Sequence, residues 1–461
     1  MKTEPTPVQQ GELSKTLKSR HLSMIALGGA IGAGLLVASS TAITTAGPAV
    51  IISYLIAGTI LTLIMRMLGE MASASPETGS FEAYAHRFIG PWAGFTVGWL
   101  YWWFWAVTVA IEATAAATIL SNWVPAIPQW LAAGVFVFIF MALNLITVRT
   151  YGEAEFWFSS IKIGAIVAII FVGVLALTGI IPNTPATVGN LTSHGGFFAN
   201  GVGAVFTAVL AVIFSMFGAE IATVAAGESE HPREAVTKAV NSVVFRILFF
   251  YIGAVGITVM VIPWSSVTSG ISPFVTMFEE LNIPYAGLIM NIVVFTALLS
   301  CLNAALYSSS RMLFAMSRTG NAPRAFGKIS RMRSPWIAVV FSSLIGFASV
   351  LLNYFMPDAV FAFLVNSTGA IGIFVWMLIA VSQLRSRKVM LERGIDVTKD
   401  DGVLKMWAFP YLNWIMLAIL TALFGFMAVT ESHRVEVIIS TAVAAVVIVL
   451  GVLNAKKQAT S

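Results

Sequence analysis

About twelve apolar segments of bilayer-spanning length follow one another along the chain, and they constrain its fold more than any other feature. A helix needs roughly 20 apolar residues to cross a bilayer, and in lipid only helices and closed barrels satisfy their backbone groups. Charged residues make up only 10% of the sequence, against roughly 25% in soluble domains. The segments cover approximately 22–46, 48–72, 92–119, 130–147, 156–180, 204–226, 240–263, 287–316, 335–353, 359–384, 407–429 and 437–454. The sequence therefore predicts an all-α polytopic membrane protein with twelve transmembrane helices.

Basic residues between these segments test the count independently. With a cytoplasmic N-terminus, the outward loops carry Arg434 alone, whereas the inward loops and tails carry Lys15, Lys18, Arg20, Arg87, Arg149, Arg233, Lys238, Arg318, Arg324, Lys328, Arg331, Arg333, Arg385, Arg387, Lys388, Arg393, Lys399, Lys405, Lys456 and Lys457. This asymmetry is the one that the positive-inside rule describes. We therefore expect both termini in the cytoplasm. The net charge of +5 reflects topology, and no nucleic-acid partner is expected.

Two apolar segments contain glycines that disfavour a continuous helix. The first holds Gly28-Gly29-Ala30-Ile31-Gly32-Ala33-Gly34, and the sixth holds Phe214-Ser215-Met216-Phe217-Gly218-Ala219-Glu220. Each glycine costs about 1 kcal/mol in a helix, and a break in lipid leaves polar backbone groups that a ligand can satisfy. Close packing of a Gly28/Gly32 pair is the alternative for the first segment. Matched interruptions in two halves of a chain favour a transporter's central site.

Three ionisable residues lie inside predicted spans, where charge is costly. Glu112 lies well away from the cytoplasmic end of the third span, and Glu220 lies beside Gly218. Lys162 is either a side chain that reaches back to the interface or a buried amine that loads and loses a proton. The single cysteine, Cys301, is too isolated to suggest a metal site, and neither a metal nor another cofactor is expected.

The third span begins with a run of aromatic residues. These residues, typical of an interfacial belt and a packing surface, are Trp92, Trp99, Tyr101, Trp102, Trp103 and Trp105. The first twenty residues are polar and contain no apolar signal-peptide core, so we expect no cleaved leader.

Several motifs together resemble the amino-acid transporter family of the amino acid–polyamine–organocation superfamily. They are Gly29-Ala30-Ile31-Gly32-Ala33-Gly34, Arg66-Met67-Leu68-Gly69-Glu70-Met71, Gly79-Ser80-Phe81, Phe217-Gly218-Ala219-Glu220, Ala226-Gly227-Glu228, Cys301-Leu302-Asn303 and Ser310-Arg311-Met312-Leu313. Within this family the chain is most similar to bacterial γ-aminobutyrate (GABA) permeases. That likeness rests on Trp99-Leu100-Tyr101-Trp102-Trp103-Phe104-Trp105, Met216-Phe217-Gly218-Ala219-Glu220-Ile221, Ser367-Thr368-Gly369-Ala370 and Ala380-Val381-Ser382-Gln383-Leu384-Arg385.

The resemblance implies two inverted five-helix repeats of the LeuT-like kind, two peripheral helices and proton-coupled uptake by alternating access. The implied organisation is a cytoplasmic tail (1–21), a transport core (22–384), a cytoplasmic linker (385–406), two peripheral helices (407–454) and a second cytoplasmic tail (455–461). It also implies a multi-pass protein of the bacterial cytoplasmic membrane. Its partners would be a small zwitterionic amino acid, protons and lipid; the sequence does not give the oligomeric state.

The resemblance further implies roles for individual residues. Backbone N–H groups of Gly32, Ala33 and Gly34 would hold the substrate carboxylate, and carbonyls of Ala30, Phe214 and Phe217 would meet the amine. The predicted substrate-binding residues are, in full, Ala30, Ile31, Gly32, Ala33, Gly34, Glu112, Phe214, Phe217, Gly218 and Ala219. Lys162 is the first candidate for proton coupling, followed by Glu112 and Glu220. Because GABA separates its charges further than an α-amino acid does, Glu112 is the predicted partner of its amine.

Other functions receive less support from the sequence. The sequence contains neither a metalloprotease HExxH motif nor a Gly-x-Ser-x-Gly elbow, which would indicate an enzyme. It also contains no repeated filter loop, which would indicate a channel. Permeases for β-alanine, proline or another neutral or cationic amino acid remain alternatives. A non-transporting amino-acid sensor with the same fold is a further alternative.

Overall fold

The computed structural model describes residues 31–75, 81–146, 149–220, 232–332, 334–356, 360–431 and 434–460, which form an all-helical structure. Gly28, Gly29 and Ala30 lie outside these residues. The α-helices are α1 (Ala33–Leu36), α2 (Ala38–Ala46), α3 (Val50–Ala74), α4 (Phe81–Phe88), α5 (Pro91–Trp123), α6 (Gln129–Ile146), α7 (Arg149–Leu177), α8 (Gly201–Met216), α9 (Pro232–Arg246), α10 (Ala254–Val261), α11 (Pro273–Glu280), α12 (Ala286–Arg318), α13 (Trp336–Phe355), α14 (Val360–Glu392), α15 (Tyr411–Val429) and α16 (Arg434–Thr460). A π-helical turn, Ile247–Gly253, joins α9 to α10.

Ten helical stretches of the described residues are long and apolar enough to cross a bilayer. The stretch Ala33–Ala74 counts once, although it includes the later part of the first predicted span and all of the second, with a tight turn at Gly47, whose φ is +62°. The described part of the sixth predicted span contains a shorter apolar helix of 16 residues, Gly201–Met216. Helix length therefore does not confirm twelve spans, and both the twelve-span count and the inverted repeats stay predictions.

Helix α5 lies at the centre of the helical packing. It contacts α4, α6, α12, α13, α14 and α16, and nearly all of its residues from Ala93 to Ala117 are buried. Small residues such as Ala113 and Ala117 allow neighbouring helices to approach closely, which stabilises helix packing in lipid. Because α5 contacts so many helices, a polar side chain at its middle lies in the protein interior.

Helices α1 and α2 pack against α8, and this packing positions the site. A Cβ atom placed on Gly34 would lie 2.5 Å from Cα of Ser215, so only glycine permits this approach. At the far ends of α2 and α8, the Asn200 side chain donates to the carbonyls of Thr44 and Thr45 at 3.1 and 2.9 Å. The two predicted breaks therefore lie side by side.

The buried carboxylate of Glu70, on α3, binds both α14 and the segment between α14 and α15. Arg387 donates from Nε and Nη2 to Glu70 at 2.9 and 2.8 Å, and the Met406 N–H donates to Glu70 at 2.5 Å. The Leu404 N–H donates to Ser73 Oγ at 2.9 Å. Helix α14 continues through Glu392, so the first part of the predicted cytoplasmic linker is helical.

Candidate functional site

A described helix begins at the first glycine motif and another ends at the second, and these two positions are called the interruptions. Gly32 is extended, with φ −140° and ψ −151°, and α1 begins directly after it. Helix α8 ends at Met216, where Phe217 is extended and Gly218 has φ +105°. Such a positive φ is readily available to glycine alone, which explains why the sequence has glycine there.

A cavity of about 20 Å³ lies between the two interruptions. Its lining residues, all buried, are Gly32, Gly34, Phe104, Trp105, Thr108, Glu112, Phe214, Ser215 and Phe217. A space of this size holds about one water molecule. An amino acid therefore requires the elements around the cavity to move apart.

Aromatic rings form one wall of this cavity. The ring centroids of Phe104 and Phe217 are 4.0 Å apart, and Phe217 stacks on Trp376 at 5.4 Å. Phe104 also contacts Phe214, with a centroid distance of 6.0 Å. This wall offers an apolar surface to the methylene groups of a ligand.

Among the described residues that line the cavity, Glu112 is the ionisable one, and it is 3% exposed. The Ala33 N–H donates to its Oε1 and Oε2 atoms at 3.0 and 3.2 Å. The predicted role of Glu112 was to meet a substrate amine. In the structure its carboxylate accepts the Ala33 N–H, one of the backbone groups predicted to hold the substrate carboxylate.

Lys162 lies beside this cavity in a second polar cluster. Its Nζ atom is 3.5 Å from Glu155 Oε1 and 3.3 Å from Cys301 Sγ. Cys301 in turn donates to the carbonyl of Ile31 at 3.2 Å. Lys162 and Glu155 are each 1% exposed, so Lys162 does not reach back to the interface, and the buried arrangement is the observed one.

The third predicted proton-coupling residue, Glu220, lies at the other interruption. Its carboxylate accepts the Gly218 N–H at 3.1 and 3.0 Å, and it is 1% exposed. This contact closes the turn that follows α8. Glu220 therefore binds the backbone at the second interruption, and it is not among the described residues that line the cavity.

The structure brings most of the predicted site residues together. Gly32, Gly34, Glu112, Phe214 and Phe217 line the cavity, and Ala33 and Gly218 bind the two carboxylates. Ile31 and Ala219 line a neighbouring cavity of about 10 Å³, next to Arg246. Ala30 lies outside the described residues.

Sequence reasoning missed other residues of the site. Trp105 was interpreted as part of an aromatic belt, but it is buried and lines the cavity together with Thr108 and Ser215. Glu155 was not a candidate, although it lies seven residues before Lys162 and therefore on the same face of α7. Among the described residues, no cluster of histidine, cysteine and acidic side chains could hold a metal ion.

Comparisons with known proteins show which family the chain belongs to. A model of the family described as "Amino acid permease" matches residues 21–459. The chain is 43% identical over 450 residues to a protein of Bacillus subtilis (strain 168) named "Gamma-aminobutyric acid permease", covering 97% of this chain and 95% of that protein. A protein of the same name from Escherichia coli (strain K12) is 45% identical over 432 residues, covering 93% and 92%.

More distant proteins share the family or the fold. The "Aromatic amino acid transport protein AroP" of Corynebacterium glutamicum is 39% identical over 430 residues, covering 92% of each chain. A crystal structure of the Eremococcus coleocola manganese transporter aligns with a TM-score of 0.55 at 13% identity, covering 95% of this chain and 94% of that one. This likeness shows a shared fold alone. The sequence matches show that the chain belongs to the amino acid permease family, a family of membrane transport proteins that take up amino acids and are not enzymes.

Proposed function

We propose that this protein takes up γ-aminobutyrate together with a proton, by alternating access, across the bacterial cytoplasmic membrane. Two relatives named as γ-aminobutyric acid permeases at 43% and 45% identity support this choice of substrate. The observation that carries the proposed mechanism is the small cavity that lies between two chain interruptions and is lined by one buried carboxylate, Glu112.

The two interruptions offer complementary backbone groups to a zwitterion. The start of α1 presents N–H groups, and the last turn of α8 presents carbonyl groups. We infer that the N–H groups of Gly32, Ala33 and Gly34 receive the substrate carboxylate. Carbonyls of Phe214 and Phe217, with that of Ala30, receive its amine.

Substrate binding is proposed to exchange one carboxylate for another at the Ala33 N–H. Its carboxylate accepts the Ala33 N–H at 3.0 Å, where the substrate carboxylate is proposed to bind. An arriving substrate carboxylate therefore displaces Glu112. The displaced side chain then pairs with the amine, which in GABA is separated from the carboxylate by three methylene groups.

Lys162 is the proposed proton carrier. It contacts Cys301, which binds the carbonyl of Ile31 directly before the first interruption. A change in the charge of Lys162 is thus transmitted to the residues that bind substrate. Glu112 and Glu220 are further candidates, since each binds a backbone N–H at one of the two interruptions.

The proposed membrane topology follows the basic residues of the sequence. It has twelve spans, with ten in two inverted repeats and two at the periphery, and both termini in the cytoplasm. In this topology the helical stretch Ala33–Ala74, which turns at Gly47, belongs to the first two spans, and α8 belongs to the sixth.

Uptake into proteoliposomes tests this function. With an inward proton gradient, radiolabelled GABA should accumulate above its equilibrium level, and dissipating the gradient should abolish the accumulation. Unlabelled β-alanine, proline and lysine serve as competitors that test the choice of substrate. Saturable binding without any accumulation would contradict transport and favour an amino-acid sensor.

A further inference from the structure

Lys162 lies between two buried acids that belong to different regions of the molecule. On one side are Cys301 and, beyond it, Glu112 at the cavity. A Cβ atom placed on Gly32 would lie 2.6 Å from both Cys301 Sγ and Glu112 Oε1, which shows how closely these groups approach each other. On the other side is Glu155, 3.5 Å from the Lys162 amine. The amine thus connects the cavity with a second carboxylate.

Glu155 and Lys162 lie on one face of α7, two turns apart. Glu155 lies about 9 Å along the axis from Arg149, the start of α7. That end is the cytoplasmic one in the proposed topology. Glu155 is therefore on the cytoplasmic side of Lys162, and Glu112 is on the side of the substrate cavity.

The surroundings of Glu155 suit a carboxylate that holds or releases a proton. Ser300 Oγ donates to Oε2 at 2.8 Å, and Ser159 Oγ donates to Oε1 at 3.4 Å. Hydroxyl groups supply hydrogen bonds without neutralising the charge. The opposite charge therefore comes from Lys162, and removing either member of such a buried pair leaves the other uncompensated.

We propose that Glu155 is the cytoplasm-side proton partner of Lys162. The Lys162 ammonium transfers a proton to Glu155 Oε1 and becomes a neutral amine, and the Glu155 carboxylic acid then releases that proton to cytoplasmic water. Lys162 is reprotonated from the substrate side in the next cycle. This inference rests on the proposed proton coupling and adds a residue to it.

Few other titratable groups face this pair in the described part of the chain. Cys301 of α12 and Glu112 of α5 interact with Lys162, and Tyr251 of the π-helical turn interacts with Cys301. Among the contacts of the described residues, that of Glu155 combines an ionic pairing with Lys162 and a position toward the start of α7. The geometry therefore supports proton transfer from Lys162 to Glu155 as the step that leads toward the cytoplasm.

The variant Glu155→Gln separates this role from substrate binding. In proteoliposomes, accumulation driven by a proton gradient should fall roughly 100-fold, the scale expected for loss of a positioned proton-transfer group. Counterflow exchange of labelled against unlabelled GABA should be retained, because exchange needs no net proton release. The midpoint of the pH profile of exchange should move to lower pH by about one unit or more, since a negative neighbour of Lys162 is gone.

Two further variants make the test specific. Glu155→Asp keeps the carboxylate and should restore part of the accumulation. Glu82→Gln changes a buried acid that binds Asn321 of the segment after α12, away from the cavity, and should behave like the parental protein. Amounts in the membrane are equalised for all variants.

The possible outcomes distinguish this inference from the proposed function. If the parental protein exchanges GABA but does not accumulate it, proton coupling fails, and an unshifted pH profile in Glu155→Gln then overturns the role of Glu155 as well. If the parental protein accumulates GABA and Glu155→Gln does so equally, only the inference about Glu155 is overturned. Equal loss of exchange and accumulation without rescue by Glu155→Asp indicates a structural role and also overturns it.

Discussion

The Glu112 carboxylate accepts the Ala33 N–H through Oε1 and Oε2, at 3.0 and 3.2 Å, although the two residues are 79 positions apart. This contact joins the central helix α5 to the first interruption of the chain. It satisfies a backbone donor at the start of α1 and a buried carboxylate at the same time. In the proposed mechanism, a substrate that replaces Glu112 at this N–H frees the acid for a second contact, and substrate binding then involves both elements.

The variant Glu112→Gln tests this exchange. The glutamine carbonyl can still accept the Ala33 N–H, so the protein should reach the membrane, but the neutral amide cannot pair with the substrate amine. We expect GABA uptake to fall roughly ten- to a hundredfold, which corresponds to about 1.5–3 kcal/mol for a hydrogen bond to a charged group. Uptake is measured with the amount of protein in the membrane as the reference. Parental uptake by this variant would remove Glu112 from the site.

Much of this site could be predicted because its chemistry is local in the sequence. Gly32, Gly34 and Gly218 indicate interrupted helices through their own conformational preferences, and the structure has Gly218 at φ +105°. Glu112 and Lys162 are identified by the cost of charge in an apolar span. Each of these inferences uses one segment alone.

Contacts between distant segments could not be predicted in this way. The partner of Glu112 depends on how α5 packs beside α1, and the contact of Lys162 with Cys301 depends on how α7 packs beside α12. Trp105 was interpreted as a belt residue because a tryptophan within an aromatic run gives the same sequence pattern whether its side chain faces lipid or a cavity. For the cluster of Lys162, Glu155 and Cys301, the sequence contained one indication, the seven-residue spacing that places Glu155 and Lys162 on the same helix face.

The close approach of α1 to α8 makes a second prediction, for Gly34→Ala. The added methyl group would lie 2.5 Å from Cα of Ser215, a backbone atom that cannot turn away. We expect this variant to separate the two interruptions and to lose most GABA binding and uptake. Gly164→Ala is the matched control, because a Cβ there meets no atom within 4 Å. Normal uptake by Gly34→Ala would show that the two elements need not pack this closely.

The buried Glu70 makes a third prediction, about stability. Glu70→Gln removes the charge that Arg387 pairs with and puts amide hydrogens near the Met406 N–H, so we expect a loss of about 3 kcal/mol. Thermal unfolding of the purified protein in detergent should show a lower Tm. Arg233→Gln breaks an exposed pair with Asp400 and should cost at most about 1 kcal/mol. Equal Tm values for the two variants would contradict a stabilising role of the Glu70 contacts.

We expect the stability of the protein to depend on pH through Glu82, which lies on the short helix α4 outside the ten candidate spans. Burial raises the pKa of its carboxyl group above the ordinary value, and the hydrogen bond from Asn321 Nδ2 at 2.9 Å opposes this shift only in part. Since the folded state binds the proton more tightly than the unfolded chain, the contribution of Glu82 is fully present at low pH and is lost as the pH rises through the raised value.

The variant Glu82→Gln removes this titration but keeps an oxygen that can accept from Asn321. We therefore expect the Tm of the parental protein to decrease relative to that of Glu82→Gln as the pH rises from the acidic side through the raised pKa of Glu82. Thermal unfolding in detergent over a pH series measures this difference. The same dependence of Tm on pH in both proteins would mean that Glu82 is charged to the same extent in the folded and unfolded states.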